Sequence, residues 1–321
     1  MKHSRLISLF VMLVANLANA QTYPTKPMTW IVGYSAGGSA DYAARLIGPE
    51  LGKILGQSVS VDNVAGGGGL VGMNKAANAP ADGHTLYYGG GELFIPPMTN
   101  PKITHDWTKL FKPVGRMLGA PLLLVTRADA PFSTLEEFTQ YARKNPGKVT
   151  YGTPGIATAQ HFLGEMIREK GKIPIVHIPY RGGAQIVTDL LGGTIEVAVL
   201  VGSTATPHLK NGKMKAIAIA DSTRNISFPG VPTFNENKTY VGLVLSPFSG
   251  MFVPVNTPDA IVQRLDVALK SAMLTETVRT KLNEAGASIK YVPAQDMPQY
   301  MKEEASRYKR VVDSAKISVT E

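Results

Sequence analysis

WIVGYSAGGSADYAARLIG, residues 30–48, reads as a short apolar strand, a glycine-rich turn and the start of a helix. Within it, Gly33-Tyr34-Ser35-Ala36-Gly37 is a literal G-x-S-x-G. In serine hydrolases that pattern marks a strained strand-to-helix turn that presents a nucleophilic serine. The same turn can instead aim unpaired backbone amides at an anion, because a helix N-terminus is short of acceptors and carries positive partial charge. The choice between nucleophile and anion cradle decides how the rest of the chain is read.

Catalysis by Ser35 requires partners in a fixed order. In the α/β-hydrolase arrangement the serine is followed by an acid and then by a late histidine. The last histidine here is His208, with 113 residues after it. The turn also follows the first strand after a targeting segment, so no upstream strand and loop can supply the second oxyanion amide. The triad logic therefore favours the cradle over a secreted hydrolase. The turn lacks the GK[ST] of a phosphate-binding loop and the G-x-G-x-x-G spacing of a dinucleotide fold. Two further glycine-rich strand-to-helix turns occur at Tyr151–Thr158 and at Pro179–Gly183. In open α/β sheets ligands sit beyond the strand C-termini, where such turns lie. Taken singly, each of these turns is also ordinary turn punctuation.

Outward from this stretch, strands and helices alternate almost throughout. A helix with apolar Ala43, Leu46, Ile47, Leu51, Ile54 and Leu55 is expected over 39–55. Strands are expected at 28–34, 58–64, 84–90 and near 120, then at KVTYGT, VHIPY, IEVAVL, KAIAIA and GMFVPV. Ser133-Thr134-Leu135-Glu136 reads as a capping box, and Thr257-Pro258 as a capping threonine with proline in the first turn. The last helix spans about 295–314. The pattern predicts an α/β fold with largely parallel sheets. The alternation restarts after PLLLV, which predicts two lobes, with the last helices folding back on the first.

Composition narrows the function classes. The chain has 321 residues, enough for one large or two medium domains. Lys2 and Arg5, the apolar run Leu6–Val14 and Ala18-Asn19-Ala20 together read as a signal peptide cleaved after Ala20. No later stretch reaches the ~18 apolar residues of a membrane helix, so export to the periplasm as a soluble protein is expected. The absence of cysteine rules out thiol catalysis, cysteine metal sites and disulfides. Of the 33 Lys and Arg, two lie in the signal segment. The remaining 31 against 24 Asp and Glu give about +7. These charges are scattered, whereas a nucleic-acid footprint needs clustering, so no nucleic-acid partner is expected. No H-x-x-H or H-E-x-x-H pairing is present, so no metal is expected.

The ordered set of short motifs resembles one family over nearly the whole mature chain. These motifs are Tyr23–Pro27, Tyr34–Gly38 with Asp41 and Arg45, Leu55–Gln57, Gly66–Gly69 and Ala81–Leu86. Asn145–Lys148, His177–Gly183, Asp189–Gly193, Val231–Thr233 and Thr257-Pro258 continue the series. The family is the periplasmic solute-binding proteins of tripartite tricarboxylate transporters, the Bordetella-uptake-gene or tricarboxylate-binding type. The resemblance implies a type II periplasmic-binding-protein fold, two α/β lobes closing on a ligand, and no catalysis or cofactor. The expected spans are 21–124 for the first lobe, 125–245 for the second and 246–321 for the return to the first. It implies a monomer that takes a small carboxylate and serves small and large membrane subunits, or a sensor in their place. By position, the resemblance places Tyr34, Ala36, Gly37, Gly38, Ser39, Gly90, Thr153, Gly155, Ala157 and Thr158 at the ligand, with Asp41 and His161 supporting the loops.

The departures from the family pattern bear on the ligand. Glycine is common where Ala157 stands, proline where Gly33 stands, and tryptophan where Phe248 stands. Where many members carry an aspartate facing the ligand, this chain has Leu200. An ammonium buried beside Leu200 would lack a partner. An acid without an amine, an aromatic or aliphatic dicarboxylate, is therefore expected, with Asp41 and Glu92 the first candidates should an ammonium be accepted. Tyr34, Tyr87, Tyr88, Phe94 and Phe248 are candidates for flat walls, Tyr87 and Phe94 reading equally as core.

Overall fold

The computed structural model describes residues 23–315 except 101, 104, 105, 120, 226 and 246. The expected signal peptide lies outside the described residues. Among these residues the chain builds two sheets. The first has strand order β11-β4-β10-β3-β1-β2 and the second β7-β6-β8-β5-β9.

In the first sheet, β1 (Met28–Val32) lies between β2 (Val59–Asn63) and β3 (Thr85–Gly90), all parallel. The period of two sends Met28, Trp30 and Val32 to one face, against Ala43, Ala44, Ile47 and Leu51 of helix α1 (Ser39–Leu55). Ile31 faces the opposite core. Helix α1 ends at Gly56, whose φ of 77° is left-handed and whose N–H donates to the Gly52 carbonyl. Helix α2 (Leu70–Ala77) joins β2 to β3.

The expected parallel arrangement holds only in part. Strand β10 (Phe248–Pro254) runs antiparallel to both β3 and β4 (Phe111–Gly119), and β11 (Ser288–Pro293) is antiparallel to β4. In the second sheet β6 (Thr150–Thr153) is parallel to β7 (Val176–Pro179) and β8 (Val197–Val201). Strand β5 (Leu122–Arg127) is antiparallel to β8 and to β9 (Met214–Ile219). The antiparallel strands β5 and β10 are those on which the chain enters the second sheet and returns to the first. The first crossing was expected after residue 124. Because β5 pairs wholly within the second sheet, the chain crosses before Leu122.

Two helix starts differ in detail from the sequence reading. Helix α4 (Leu135–Lys144), which follows the short α3 (Ile95–Thr99), is capped by Thr134 with Glu137. The expected Ser133–Glu136 pair sits one residue out of register. Helix α8 (Asp259–Leu274) has Pro258 as its cap with no side-chain bond, and Thr257 Oγ1 is buried without a partner among the described residues. The carbonyl of Thr257 instead accepts a hydrogen bond from Lys112 Nζ at 2.8 Å.

The C-terminal helices pack on the first sheet. Val262, Leu265 and Leu269 of α8 share the core of β1 and α1. Helix α9 (Glu276–Glu284) follows, and helix α10 (Met297–Ala315) brings Tyr308 against Phe94 and, across the lobes, against Phe162.

Candidate functional site

The parallel strands of both sheets end at one cavity between the lobes. Three helices of the second lobe start there: α5 (Ala159–Gly171) after β6, α6 (Gly183–Leu191) after β7, and α7 (Gly202–Lys210) after β8. The cavity wall includes Gly38, Ser39 and Ala40 at the start of α1, Thr158 to Gln160 at the start of α5, Gly183 on α6, and Ser203 and Thr204 on α7. Four helix N-termini therefore face one space. Gly38, Gly182 and Val201, which cap α1, α6 and α7, offer no side-chain acceptor to the first-turn amides. The wall holds no Lys, Arg, His or Asp among the described residues. The oriented amides of these helix starts carry positive partial charge.

The first glycine turn is held from behind. Asp41 Oδ2 accepts from Gly37 N at 2.9 Å, and Oδ1 from Arg45 Nε at 2.8 Å. Arg45 continues to Asn63 Oδ1 (2.9 Å), whose amide donates to the Tyr34 carbonyl (3.1 Å). Asp41 is thus engaged with the turn and does not line the cavity. On the second lobe, Thr158 Oγ1 accepts from His161 N at 3.3 Å and donates to the Gly155 carbonyl at 2.8 Å. The Ala157 N–H donates to His161 Nδ1 at 3.2 Å. Ala157 has φ 59°, the left-handed region where a Cβ costs about 1 kcal/mol, which accounts physically for the preference for glycine there.

Among the expected site residues, Tyr34, Gly38, Ser39, Gly90, Thr158 and Leu200 line the cavity. Ala36 and Gly37 are exposed outside it, and Gly37 faces an outer groove with Lys210 and Lys281. Thr153, Gly155 and Ala157 stand behind the lining: Thr153 Oγ1 lies 2.6 Å from His177 Nε2, and Gly155 abuts Gly68 of the first lobe. Tyr88 and Phe248 also form walls, whereas Tyr87 stacks on Phe111, and Phe94 stacks on Phe248 from behind. Glu92, considered from sequence only as a partner for an amine, reaches the wall directly. So do Gln160, Ser203 and Thr204, which sequence reasoning did not single out.

Ser35 is no nucleophile in this arrangement. Its N–H donates to the Arg181 carbonyl of the other lobe at 3.2 Å. Its Oγ is buried without a hydrogen-bond partner among the described residues, against Gly182. The G-x-S-x-G stretch is an interlobe contact beside an anion cradle.

The imidazoles of His161 and His177 stack at 4.2 Å beneath the second-lobe loop. Burial lowers both from the usual histidine range, His177 to about 3, with the neighbouring His161 adding to the effect there. A histidine depressed in the folded state binds more protons once unfolded. Its contribution is therefore intact above 6.5 and is lost as pH falls from 6.5 towards 3. For His177 the expected loss is up to about 1.4 kcal/mol per pH unit. Urea midpoints measured from about pH 7 to about pH 5 should fall, and His177→Gln should flatten that slope. A slope unchanged in the variant would remove His177 from the acid response.

Residues 43–317 match the family described as "Tripartite tricarboxylate transporter family receptor". The fold superposes on periplasmic binding protein BugD with a TM-score of 0.88, at 26% identity, covering 92% of this chain and 99% of that one. It is similar to MatC of Rhodopseudomonas palustris with bound malate (TM-score 0.85, 30% identity, 90% of this chain and 100% of that one). It is also similar to R. palustris Rpa4515 with adipate (TM-score 0.87, 26% identity, 92% and 99%). Four helix N-termini facing one cavity between two α/β lobes, with no nucleophile in the G-x-S-x-G stretch, suit a binding protein. The chain belongs to the tripartite tricarboxylate transporter receptor family, a family of periplasmic solute-binding proteins rather than enzymes.

Proposed function

We propose that this protein captures a small dicarboxylate in the periplasm and presents it, as a monomer, to the small and large membrane subunits of a tripartite tricarboxylate-type transporter. The observation that carries this reading is the meeting of four helix N-termini on a cavity whose wall holds no cationic side chain among the described residues. Amide donors and helix dipoles stabilise a desolvated carboxylate without the side-chain entropy cost of an ion pair. Leu200, Phe248 and Leu118 supply apolar wall for a hydrocarbon spacer. Malate and adipate, bound by the similar MatC and Rpa4515, are small dicarboxylates of this kind.

Thermal denaturation with malate, adipate, glutarate, terephthalate and glutamate tests the proposal. A diacid at a hundredfold excess over its Kd adds about 2.7 kcal/mol to apparent stability. The amine-free diacids should raise the melting temperature more than glutamate, since an ammonium beside Leu200 loses hydration. No shift with any carboxylate would overturn the reading, and a shift with glutamate alone would overturn its preference for amine-free acids.

A further inference from the structure

The cavity wall contains one ionisable carboxyl among the described residues, Glu92, which directly follows Gly91 and the end of β3. Its side chain is held in place. Oε1 accepts hydrogen bonds from Tyr87 Oη and from Gly90 N, both at 3.0 Å. The backbone N–H of Glu92 itself also donates to its carboxyl, and Oε2, which accepts from no other residue among the described ones, lies beside Gly90, itself a cavity residue, 3.4 Å from where a Cβ on that glycine would stand. Glu92 is 8% exposed. A carboxyl more than nine-tenths buried thus stands in the wall of the space where four helix N-termini meet, with Oε2 open to a partner from outside its own turn.

The surroundings of Glu92 decide its charge state. The titratable groups that face it are four tyrosines: Tyr34 after β1, Tyr87 and Tyr88 on β3, and Tyr308 on α10. Among the described residues, no Lys, Arg, His or Asp lines the cavity with it. Burying an ionised carboxylate without a cation is costly, and neutral donors offset only part of that cost. Burial accordingly pushes the Glu92 carboxyl up, opposed by its own backbone amide, the Tyr87 hydroxyl and the Gly90 amide. A second carboxylate brought into the same cavity pushes it further in that direction, since like charges this close do not both ionise readily.

We propose that Glu92 is a specificity-determining residue that holds one end of a dicarboxylate as an acid–carboxylate pair. Its Oε2 shares a single proton with a ligand carboxylate oxygen while the other ligand carboxylate rests on the helix N-termini. One proton, drawn from solvent, is then taken up with each diacid, and no covalent bond changes. The inference rests on the dicarboxylate reading above and adds a residue and a proton to it. It also explains how a cavity that binds anions tolerates an acidic side chain in its wall.

Calorimetric titration of the full chain with adipate tests this from about pH 6 to about pH 9, where the free diacid is essentially a dianion. Paired buffers of unlike ionisation enthalpy count the protons. In the wild type, Kd should rise up to about tenfold per pH unit above the titration point of free Glu92, with close to one proton taken up per adipate bound. Glu92→Gln keeps the shape, stays neutral and donates from its amide. It should bind adipate about as tightly as the wild type does at low pH, with a flat pH profile. Tyr87→Phe removes a donor that favours the ionised form, so the fall in affinity should move to higher pH. Adipate affinity that is flat or rising with pH in the wild type would overturn the proposal, as would loss of binding in a folded Glu92→Gln protein. Glutamate binding that strengthens with pH would make Glu92 the counter-ion of an ammonium instead. Failure of every carboxylate to bind either protein at any pH would overturn the dicarboxylate reading itself, a result separable from a pH-independent diacid site.

Discussion

Gly182→Ala is expected to weaken carboxylate binding by about ten- to a hundredfold while leaving each lobe folded. Gly182 has φ 169°, extended backbone that alanine adopts freely, so the substitution brings no backbone strain. The obstacle is across the cleft. A Cβ at Gly182 would stand 2.1 Å from Ser35 Oγ and 3.2 Å from Ser35 Cβ and N. Ser35 and Gly182 belong to opposite lobes, and the Ser35 N–H to Arg181 carbonyl bond joins them at the same point. Rotation of Ser35 can move Oγ aside, but the contacts to its Cβ and N remain and push the lobes apart by a few tenths of an ångström, at the roughly 1–3 kcal/mol typical of overpacking. At 1.4 kcal/mol per tenfold, that cost appears in the affinity. Ser35→Gly removes both the hydroxyl and the Cβ. The double variant should therefore recover most of the lost affinity, whereas Ser35→Gly alone should change little. Calorimetry on the four proteins with one diacid measures this coupling. Equal losses in Gly182→Ala with and without Ser35→Gly would show that the two residues do not limit closure together.

How far the sequence discloses this arrangement depends on the kind of information involved. Local periodicity is explicit in it. The apolar positions of 39–55, the glycine at 56 and the alternation of Met28, Trp30 and Val32 gave helix α1 and strand β1 their places. Strand direction is not local. Nothing in PLLLV or GMFVPV distinguishes a parallel strand from one that re-enters a sheet in reverse, so the antiparallel strands β5 and β10 emerge only in the folded chain. The capping box is a different case. Ser133 with Glu136 and Thr134 with Glu137 both satisfy the spacing, and only the packing of Leu135 and Phe138 selects the second.

The cavity shows the same division. Glycine turns before helices marked Gly38, Ser39 and Thr158 because backbone anion sites leave a compositional trace. Glu92 was legible only as a candidate partner for a ligand ammonium. Nothing local in Gly89-Gly90-Gly91-Glu92-Leu93 marks it as buried. Its neighbours include the non-local Tyr34 after β1 and Tyr308 from α10, far apart in the chain. Gly33 illustrates a tertiary constraint on a local departure from the family pattern. A Cβ there would meet the Gly69 Cα and carbonyl oxygen at 2.9 Å, so two glycine turns press together behind the cavity.

The most direct test of backbone recognition is to delete one amide and keep the helix. Ser39 is the first residue of α1, and its N–H is among the first-turn donors that helical geometry leaves without an intrahelical acceptor. Proline is well tolerated at that position, because the missing N–H has no helical role and its fixed φ suits the first turn. The preceding residue must be extended, and Gly38 has φ −82° and ψ 174°. Ser39→Pro should therefore preserve the fold and its unfolding midpoint to within about 1 kcal/mol. It should nevertheless remove a hydrogen bond to an ionised carboxylate, worth about 1.5–3 kcal/mol. That corresponds to a loss in affinity of about ten- to 150-fold. Ser39→Ala, which keeps the amide and removes the hydroxyl, separates the two donors: if the amide carries recognition, the alanine variant stays within a fewfold of wild type. The loss should be similar for malate, glutarate and adipate, because the deleted donor addresses the carboxylate they share and not the spacer. A folded Ser39→Pro protein that binds diacids with unchanged affinity would remove the α1 N-terminus from the site, leaving recognition to the three helix starts of the second lobe.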